Sequence, residues 1–404
     1  MSMSEWKEVR LGDLCYKVCS GGTPKSTCSS YYEGGTIPWL NTKEINYNRI
    51  FETESHITED GLNNSSAKWI DSNAVVVAMY GATAGRVAIA KVPMTTNQAC
   101  CNLMIDSSKA DYNFIYYYLS NSYKYLLSMA NGAAQQNLNA QIIKDLFISL
   151  PSLDEQRSIA SILSSLDSKI ENNRKICANL EAQAQALFKH WFIDFAPFKD
   201  GKFVESELGM IPEGWEVTTI GKVCKCELGG TPSRANKSYW GGNIAWINSG
   251  EVNKFRICQA SEYITDEGLS HSATKLLPAK TTVLAITGAT LGQVSLLEIN
   301  SCANQSVVGI KENGQIPYTF IYPLIKSRIK ELILMQTGGA QQHINKDNIQ
   351  SLKIVLSPEH IMSDYNFIVQ EMYGQIGKLC FENLHISTLR DTLLPKLMSG
   401  AIKV

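Results

Sequence analysis

Two turns of the form Gly-Ala-Thr-x-Gly carry side chains that could recognise nucleic-acid bases. The first turn occupies residues 81–85 and precedes Arg86, and the second occupies residues 288–292 and precedes Gln293. An arginine fork suits guanine and a glutamine amide suits adenine. Each turn lies between two β-like runs and lacks the lysine of a phosphate-binding loop. The turns are therefore either structural or present polar side chains to a ligand, namely Tyr80, Thr83 and Arg86 in the first and Thr287, Thr290 and Gln293 in the second.

A second pair of polar runs is rich in amides. Each run follows a glycine, and the members are Gln135, Gln136 and Asn137 in one and Gln341, Gln342 and His343 in the other. Amide side chains can hydrogen-bond the edge of adenine, but they also cap helices and turns. Both interpretations stay open, and the recurrence of the run favours a structural role for part of it.

The motifs of common active sites do not stand out in the sequence. We find no Asn/Asp-Pro-Pro-aromatic methyltransferase signature, no nuclease cluster of Asp with Glu-x-Lys, and no paired nucleophile and base. Among the eleven cysteines, Cys15 and Cys19 have a spacing that zinc tolerates, but no histidine pair follows at finger spacing. We therefore expect reduced cysteines, and we predict no catalytic, metal or cofactor site.

Length and charge narrow the function further. At 404 residues the chain is too long for one ordinary core, so two or three domains are expected. The first fifteen residues lack an apolar signal-peptide region, and we find no run of ~18 apolar residues, so a cytoplasmic location is expected. A net charge of −1 is too low to attract DNA phosphates strongly, so any DNA-binding function must allow for partners that supply positive charge.

The polar motifs belong to a tandem duplication. Gly-Gly-Thr-Pro occurs at residues 21–24 and again at 229–232, an offset of 208, and the offset is 207 at the turns and 206 at the amide runs. β-branched runs at 74–78 and 282–286 predict short strands, and 113–129 and 318–335 predict one helix per copy. Each copy is thus a mixed α and β domain of about 150 residues.

A long helix with a heptad seam follows each copy. Residues 154–191 place apolar or small side chains alternately four and three apart, and residues 362–397 keep the same alternation. Because so narrow a seam needs a partner helix, we predict an antiparallel coiled coil. The favoured register pairs Asn173 with Asn383, and it requires Arg390 to extend outward to solvent. The alternative is that both asparagines turn to solvent.

The segment that follows the first long helix contains four aromatic residues between 191 and 198. Because such a segment is too apolar for a free linker, we expect it to dock on its neighbours rather than act as a hinge. The fold class is therefore α+β, with two duplicated mixed α/β domains separated by two long helices that form an antiparallel coiled coil.

Taken in order, the motifs resemble those of the specificity subunit of Type I restriction-modification systems. They are the two Gly-Gly-Thr-Pro motifs, the two Gly-Ala-Thr-x-Gly turns, the run from Leu150 to Ala160, Leu187-Phe188-Lys189-x-Trp191-Phe192, and the run from Leu393 to Gly400. The resemblance covers essentially the whole chain. It departs at the second long helix, which enters through Ser357-Pro358-Glu359-His360 without the Glu-Gln-Arg of the first.

This resemblance implies a non-catalytic subunit that gives a larger complex its DNA sequence preference. Residues 1–152 and 197–357 would be target recognition domains, each reading one half of a bipartite site. Residues 153–196 and 358–404 would be the long helices that set the spacer and dock methyltransferase subunits. The implied partners are double-stranded DNA, two methyltransferase subunits, and restriction subunits joined through the complex, and S-adenosylmethionine and ATP would belong to those partners.

Residues that differ at matching positions of the two copies are the candidates for reading two different half-sites. The most divergent loops carry Lys25 and Ser26 in the first copy and the run from Arg234 to Lys237 in the second. Further along, the first copy has Asn41, Thr42 and Lys43 where the second has Asn248, Ser249 and Gly250. The turn residues and the amide runs belong to the predicted DNA-binding set. The further members are Lys25, Ser26, Asn41, Thr42, Lys43, Arg234, Lys237, Asn248 and Ser249.

Two other functions are also considered. A hydrolase with a duplicated domain could place its site in the aromatic regions around Tyr31, Trp39 and Trp240. A DNA-binding regulator or assembly scaffold would bind without ever modifying DNA. Catalysis by the purified chain alone would support the first, and sequence-specific methylation on co-expression with a methyltransferase subunit would exclude the second.

Overall fold

The chain divides into two compact units, and each unit contains one copy of the duplicated domain. The computed structural model describes residues 6–131, 138–335 and 343–404. One unit comprises Met1–Lys169 with Ile386–Val404, and the other comprises Ile170–His385. Both long helices contribute a part to each unit. Within the described ranges, no helix is long and apolar enough to cross a membrane.

The first copy is built on two main sheets. Its strands are β1 (Lys7–Arg10), β2 (Cys15–Ser20), β3 (Ile37–Leu40), β4 (Asn48–Ile50), β5 (Ser55–Ile57), β6 (Trp69–Ile70), β7 (Ala74–Ala78), β8 (Val87–Ala90), β9 (Met94–Thr96), β10 (Cys100–Ile105) and β11 (Phe147–Leu150). One sheet has the order β2-β10-β7-β8-β4, the other has the order β5-β3-β9-β6, and β1 pairs with β11. The helices are α1 (Glu59–Asn63), α2 (Tyr112–Asn121), α3 (Tyr123–Asn131) and α4 (Ala140–Lys144).

The predicted strand at residues 74–78 is confirmed as β7, in the middle of the larger sheet. All five of its residues are buried. Val75 and Val77 pack into the core that contains Phe114 of α2, whereas Val76 packs into the core on the other face. A strand that is covered on both faces needs apolar residues without alternation, which explains its unbroken run of alanine and valine.

The first long helix is α5 (Leu153–Phe192), close to the predicted bounds. At its start, the hydroxyl of Ser152 accepts a hydrogen bond from the backbone of Glu155 at 3.3 Å, as an N-terminal cap does. The aromatic segment after the helix docks as predicted. Phe195 and Phe198 pack against Trp215 with ring centroids 5.4 and 5.1 Å apart.

The second copy repeats the first after an added hairpin. Its strands are β12 (Phe203–Ser206), β13 (Gly209–Pro212), β14 (Glu216–Thr219), β15 (Cys224–Leu228), β16 (Trp240–Ile247), β17 (Glu262–Ile264), β18 (Thr282–Ala285), β19 (Val294–Leu296), β20 (Cys302–Ala303), β21 (Val307–Glu312) and β22 (Lys353–Leu356). The sheets have the orders β15-β21-β18-β19 and β17-β16-β20, with β12-β13 and β14-β22 as pairs. The helices are α6 (Ile220–Val223), α7 (Asp266–Ser270), α8 (Tyr318–Leu334) and α9 (Lys346–Ser351).

The prediction of one helix per copy is confirmed for α8 but wrong for the first copy, where α2 and α3 meet at Ser122. The Ser122 hydroxyl donates a hydrogen bond to the carbonyl of Tyr118 at 2.8 Å. At the matching position the second copy has Arg328, a better helix former, and the helix continues.

The last helix, α10 (Glu359–Met398), runs antiparallel to α5 in each unit. In one unit Asn173 is fully buried, and its Nδ2 donates to Oδ1 of Asn383 at 2.9 Å and to Oε2 of Glu382 at 2.8 Å. The predicted register is therefore confirmed, and the alternative of a solvent-exposed Asn173 is wrong.

In the other unit, the expectation that Arg390 extends outward to solvent is wrong. Its Nη1 donates to Oδ1 of Asp167 at 2.7 Å, and the side chain is half-buried. The heptad pattern identifies only the apolar seam positions. Asp167 lies beside the seam, so the pattern did not predict it as the partner of Arg390. The carboxylate retains the guanidinium because a buried charge requires a partner.

Candidate nucleic-acid interface

In the first copy, three loops meet at one edge of the sheets, around Asn97 and Gln98. The Tyr80 hydroxyl donates to the carbonyl of Gln98 at 3.2 Å, and Nδ2 of Asn97 donates to Oδ1 of Asn41 at 3.3 Å. The Thr23 hydroxyl donates a short hydrogen bond to Oε1 of Gln98. The pairing of the strands brings these loops together, because β2, β3, β7 and β9 all end beside the start of β10.

The second copy builds the same edge. The Thr231 hydroxyl donates to Oε1 of Gln305 at 2.5 Å, and the backbone of Asn304 donates to the carbonyl of Ile247 at 3.0 Å, at the end of β16. Thr287 forms an isolated antiparallel bridge with His343, so the second turn and the end of the second amide run are adjacent. Residues that the sequence predicted from distant segments therefore lie together in each copy.

Two members of this edge, Gln98 and Gln305, are absent from the set predicted from the sequence. Both are exposed, and each follows an asparagine whose Oδ1 accepts a backbone hydrogen bond at 3.1 Å from the residue two positions later. The asparagine therefore holds a turn, as Asx residues do, and the glutamine stands on it. The signal was available in the sequence, since an Asn-Gln pair recurs at residues 97–98 and 304–305 with the offset of 207.

The Gly-Gly-Thr-Pro motifs hold the fold of this edge. Nε1 of Trp39 donates to the carbonyl of Gly22 at 2.9 Å, and Nε1 of Trp246 donates to the carbonyl of Gly230 at 3.0 Å. A Cβ atom at Gly21 would lie 2.0 Å from the carbonyl oxygen of the neighbouring strand end, so a side chain cannot be accommodated there. Both indoles are buried, and they stabilise the loop from inside the core.

Asn41 and Asn248 occupy equivalent capping positions. The backbone of Asn41 donates to Oε1 of Glu44 at 3.0 Å, and the backbone of Asn248 donates to Oε2 of Glu251 at 3.3 Å. In each case the asparagine side chain accepts a reciprocal bond, which completes a capping box. The two asparagines therefore have a structural role in both copies.

The residues after these caps differ in character. Thr42 and Ser249 are half-buried, whereas Lys43 is exposed and lies 2.6 Å from the carboxylate of Glu54. The hydrogen bond to Glu54 raises the pKa of Lys43. An exposed ion pair of this kind stabilises the fold little. The second copy has Gly250 at this position, so this ammonium group has no counterpart there.

Arg234 shows how far the most divergent loops differ. Its guanidinium makes two hydrogen bonds to Glu262, at 2.5 and 2.8 Å, and lies 3.6 Å from the centre of the Trp240 ring. These hydrogen bonds lower the pKa of Glu262. The matching residue in the first copy is Ser26, which is exposed, as are Lys25 and Lys237. In the second copy, Arg234 therefore ties its loop to Glu262 and Trp240.

Arg86 and Gln293 take the same place in their copies. Each follows a glycine with a positive φ, +78° at Gly85 and +83° at Gly292, a conformation that favours glycine. Nη1 of Arg86 donates to Oδ1 of Asn46 at 2.8 Å, and Arg86 is half-buried. Gln293 is exposed. One scaffold therefore presents an arginine in one copy and a glutamine in the other.

The other predicted residues divide into two groups. Thr83 and Thr290 are half-buried within their turns, and the Thr290 hydroxyl donates weakly to the carbonyl of Thr287 at 3.4 Å. The remaining five lie outside the described residues: Gln135, Gln136, Asn137, Gln341 and Gln342. Among the residues that are described, no group of three or more His, Cys, Asp or Glu side chains is placed to hold a metal ion.

Comparison with known proteins extends these observations. A family model for the Type I restriction modification DNA specificity domain matches residues 3–182 and 212–361. The chain is 29% identical over 410 residues to the MjaIX specificity subunit, a type I restriction enzyme subunit of Methanocaldococcus jannaschii, with 99% of this chain and 94% of that protein covered.

Two further similarities agree with this match. The chain is 23% identical over 468 residues to the HindI specificity subunit of Haemophilus influenzae, with 99% of this chain and 100% of that protein covered. A crystal structure of a Type I restriction-modification S subunit from M. genitalium gives a TM-score of 0.63 at 16% identity, and the match covers 98% of this chain and 97% of that one. The last similarity concerns the fold.

Proposed function

The chain belongs to the Type I restriction modification DNA specificity family, and from this premise we propose that each copy of its domain reads one half of a bipartite, asymmetric site. The family role is DNA sequence recognition within a restriction-modification complex, without catalysis by this subunit. The observation that carries the proposal is that the same loop edge is built twice with different side chains. Trp39 and Trp246 support it alike, whereas Arg86 and Gln293 differ.

These differences suit the reading of two unlike sequences. A bidentate arginine prefers guanine, and a glutamine amide prefers adenine, so the two turns favour different bases. The loops that carry Ser26 and Arg234 differ in charge, and the guanidinium of Arg234 is bound by Glu262 and the ring of Trp240. The residues of the predicted set that lie on this edge are the proposed contacts, with Gln98 and Gln305 added.

The long helices support a fixed gap between the two half-sites. We propose the boundaries 1–152 and 197–357 for the recognition domains and 153–196 and 358–404 for the helical segments. α5 and α10 have 40 residues each, or about 60 Å at ~1.5 Å per residue. That length is comparable with one to two turns of B-DNA at ~35 Å per turn.

The outer face of α10 supports docking of methyltransferase subunits. Phe367 is 77% exposed and Phe381 is 41% exposed, and they lie two heptads apart on the same side of the helix. Large exposed apolar side chains mark surfaces that bind other proteins. We propose that two methyltransferase subunits dock on the helices, that restriction subunits join through them, and that S-adenosylmethionine and ATP bind to these partners in the cytoplasm.

The low net charge supports the same division of labour. At −1, the chain alone offers little attraction to phosphates, so its partners supply the cationic surface that holds the DNA. Contacts to phosphate position a protein on DNA, and contacts to bases specify the sequence. In this proposal, the chain contributes the contacts to bases.

The proposal is tested by co-expressing the chain with a methyltransferase subunit of a type I system in a host that lacks other DNA methylation. Sequencing of the genomic DNA should reveal methylation at a bipartite sequence with a constant gap, and none without this chain. If the two proteins co-purify but no sequence is methylated, the proposed DNA recognition is contradicted, and the role of an assembly scaffold is favoured instead.

A further inference from the structure

One exposed side-chain pair is the same in both copies, although neighbouring side chains on the loop edge differ. In the first copy the Thr23 hydroxyl donates to Oε1 of Gln98. In the second copy the Thr231 hydroxyl donates to Oε1 of Gln305 at 2.5 Å. Both glutamines are exposed, whereas the residues that follow the two Gly-Ala-Thr-x-Gly turns differ between the copies.

The glutamine is held at its backbone in each copy. It follows an asparagine that comes directly after a strand, β9 in the first copy and β20 in the second. That asparagine closes a turn by accepting a backbone hydrogen bond at 3.1 Å in both copies. In the first copy the Tyr80 hydroxyl also donates to the carbonyl of Gln98 at 3.2 Å. The turn therefore fixes the point from which the glutamine side chain extends.

The threonine is fixed by its own loop. The backbone of Gly22 donates to the carbonyl of Thr96 at 2.8 Å, at the end of β9. In the second copy the backbone of Gly230 donates to the carbonyl of Ala303 at 2.8 Å, at the end of β20. A buried proline follows the threonine in each copy. The hydroxyl that binds the glutamine therefore belongs to a loop that is anchored to the same strand end.

The hydrogen bond from the threonine leaves the amide nitrogen available. Within the described part of the chain, Nε2 of Gln98 and Nε2 of Gln305 donate no hydrogen bond. A glutamine that reads adenine needs Oε1 and Nε2 together. Because the threonine already engages Oε1, the free hydrogen-bonding capacity lies mainly in the two N–H groups of Nε2, which suit a partner that only accepts.

The identity of the pair in both copies indicates which acceptor it suits. This step rests on the proposed function, in which the two copies read unlike half-sites. An exposed side chain that is the same in both copies does not account for that difference, so it suits a group that every half-site carries. The phosphate oxygens of the DNA backbone are such acceptors, and glutamine side chains are among the groups that contact them.

We propose that Gln98 and Gln305 each donate from Nε2 to a phosphate oxygen at equivalent places in the two half-sites, with Thr23 and Thr231 as positioning residues. Contacts of this kind fix the register of a protein on DNA and carry no sequence information. The chain then supplies two neutral phosphate contacts besides its contacts to bases. Because an amide is neutral, these contacts add affinity without the release of counterions that a lysine or arginine causes.

The test measures DNA binding by the complex of the full chain with methyltransferase subunits, using fluorescence anisotropy. The two duplexes are the bipartite sequence that the unaltered complex methylates and a random sequence. Gln98→Ala should weaken binding to both by the same factor, about tenfold, because a hydrogen bond to a charged group is lost. Gln305→Ala should have the same effect. The dependence of affinity on salt should keep its slope, since no cation is removed.

A second variant of Gln98 shows whether the partner is an anion. Gln98→Glu keeps the size of the side chain but replaces the N–H donors with a carboxylate. It should bind both duplexes more weakly than Gln98→Ala, because the carboxylate repels a phosphate. The control is Gln141→Ala on α4, because Gln141 is also exposed but its Nε2 already donates to Oδ2 of Asp145 at 2.7 Å. The control should leave both affinities unchanged.

Variants of Thr23 test its positioning role. Thr23→Val removes the hydroxyl and should weaken binding less than Gln98→Ala, because the amide is present but no longer oriented. Thr23→Ser retains the hydroxyl and should bind as the unaltered chain does. Thr23→Val combined with Gln98→Ala should bind as Gln98→Ala alone, because the threonine acts through the glutamine. A threonine that only holds the fold would weaken the double variant further.

Two results would overturn the proposal. A loss confined to the methylated sequence, with relaxed methylation at one base position, would show that the amide reads a base. Unchanged affinity of Gln98→Ala for random DNA would exclude the phosphate contact, whether or not the complex prefers a sequence. Failure of the proposed function is a separate result, because it would appear as the lack of any methylated sequence with the unaltered chain.

Discussion

The phenol of Tyr117 donates a hydrogen bond to Oδ2 of Asp167 at 2.5 Å. Tyr117 lies on α2 and Asp167 on α5, and the other carboxylate oxygen accepts the bond from Arg390 of α10. Within this unit, one carboxylate therefore joins the first domain to both long helices. Burial, followed by the charge of Asp167, raises the pKa of Tyr117, so the phenol stays protonated and remains a donor.

Replacing this carboxylate should weaken the attachment of the first domain. Asp167→Asn keeps the size of the side chain but removes the charge, which leaves Arg390 and Tyr117 with a poorer partner. We expect a loss of about 1–3 kcal/mol in the free energy of unfolding, measured by urea denaturation. The control is Asp391→Asn, because Asp391 also pairs with Arg390 but its side chain is 63% exposed. Equal losses in the two variants would contradict the role of Asp167.

The second domain has its own buried attachment, and this one depends on pH. Glu181 of α5 accepts bonds from Arg256 at 2.5 Å and from Lys326 at 3.0 Å. Burial by itself raises the pKa of Glu181, but the two cations more than offset it, so the pKa lies below its ordinary value of 4.5. The stabilisation is therefore fully present above the pKa of the unfolded chain and is lost as the pH falls through the lower, folded-state pKa.

Glu181→Gln should reveal this dependence. At neutral pH the variant removes the closer of two buried carboxylates beside Arg256 and leaves Glu298, whose Oε1 lies 3.7 Å from Nε of Arg256. We expect a loss of about 1–3 kcal/mol in the free energy of unfolding. The difference from the unaltered chain should narrow as the pH falls from about 4.5 through the lower, folded-state pKa of Glu181, because the carboxylate of the unaltered chain is then protonated as well. The exposed Glu213→Gln serves as the control and should cost little. A difference that does not change with pH would refute the linkage.

The asparagine pair in the seam should specify the register of the two helices. Asn383→Leu removes one acceptor of the buried Asn173 amide, and we expect a loss of about 1–3 kcal/mol in the free energy of unfolding. The double variant with Asn173→Leu should lose less than the sum of the single variants, because no amide remains buried in the seam. Its helices should also occupy more than one register, which disulfide cross-linking of engineered cysteine pairs can detect. Additive losses of unfolding free energy together with a single register would contradict the claim that the asparagine pair specifies the register.

Arg86 should contribute to discrimination between sequences. In the assembled complex, Arg86→Ala should weaken binding to the cognate half-site by about 1–3 kcal/mol and binding to random DNA much less. Fluorescence anisotropy with the two DNA duplexes measures both affinities. The control is Arg157→Ala on α5, because Arg157 is an exposed arginine away from the loop edge. An equal loss on both duplexes would assign Arg86 to contact with the DNA backbone.

The parts of the fold that the sequence predicted are those with a periodic or repeated signal. The tandem copies follow from motifs at a nearly constant offset, and the seam follows from the heptad spacing, so α5 differs by one residue at each end from the predicted range of 154–191. The Asn173–Asn383 pair was predictable as well, since one buried amide in a seam requires another.

The parts that the sequence did not predict depend on contacts between distant segments. The partner of Arg390 is a residue beside the seam and more than two hundred positions away. The break between α2 and α3 lies at Ser122, within a run that the sequence pattern continues on both sides. The recurrence of the Asn-Gln pair marks Gln98 as part of the repeat, but its position beside Thr23 depends on strand ends that come together only in the fold. Periodicity carries no information about which loops share an edge.

The central claim is that the two copies read their half-sites independently, and exchange of one recognition domain tests it most directly. Residues 1–152 are replaced by the matching domain of a relative with a known, different target, and the chimera is co-expressed with the methyltransferase subunit. The methylated sequence is then read from genomic DNA. Independent reading predicts that one half of the sequence changes while the other half and the gap stay the same. A simultaneous change in both halves would contradict it.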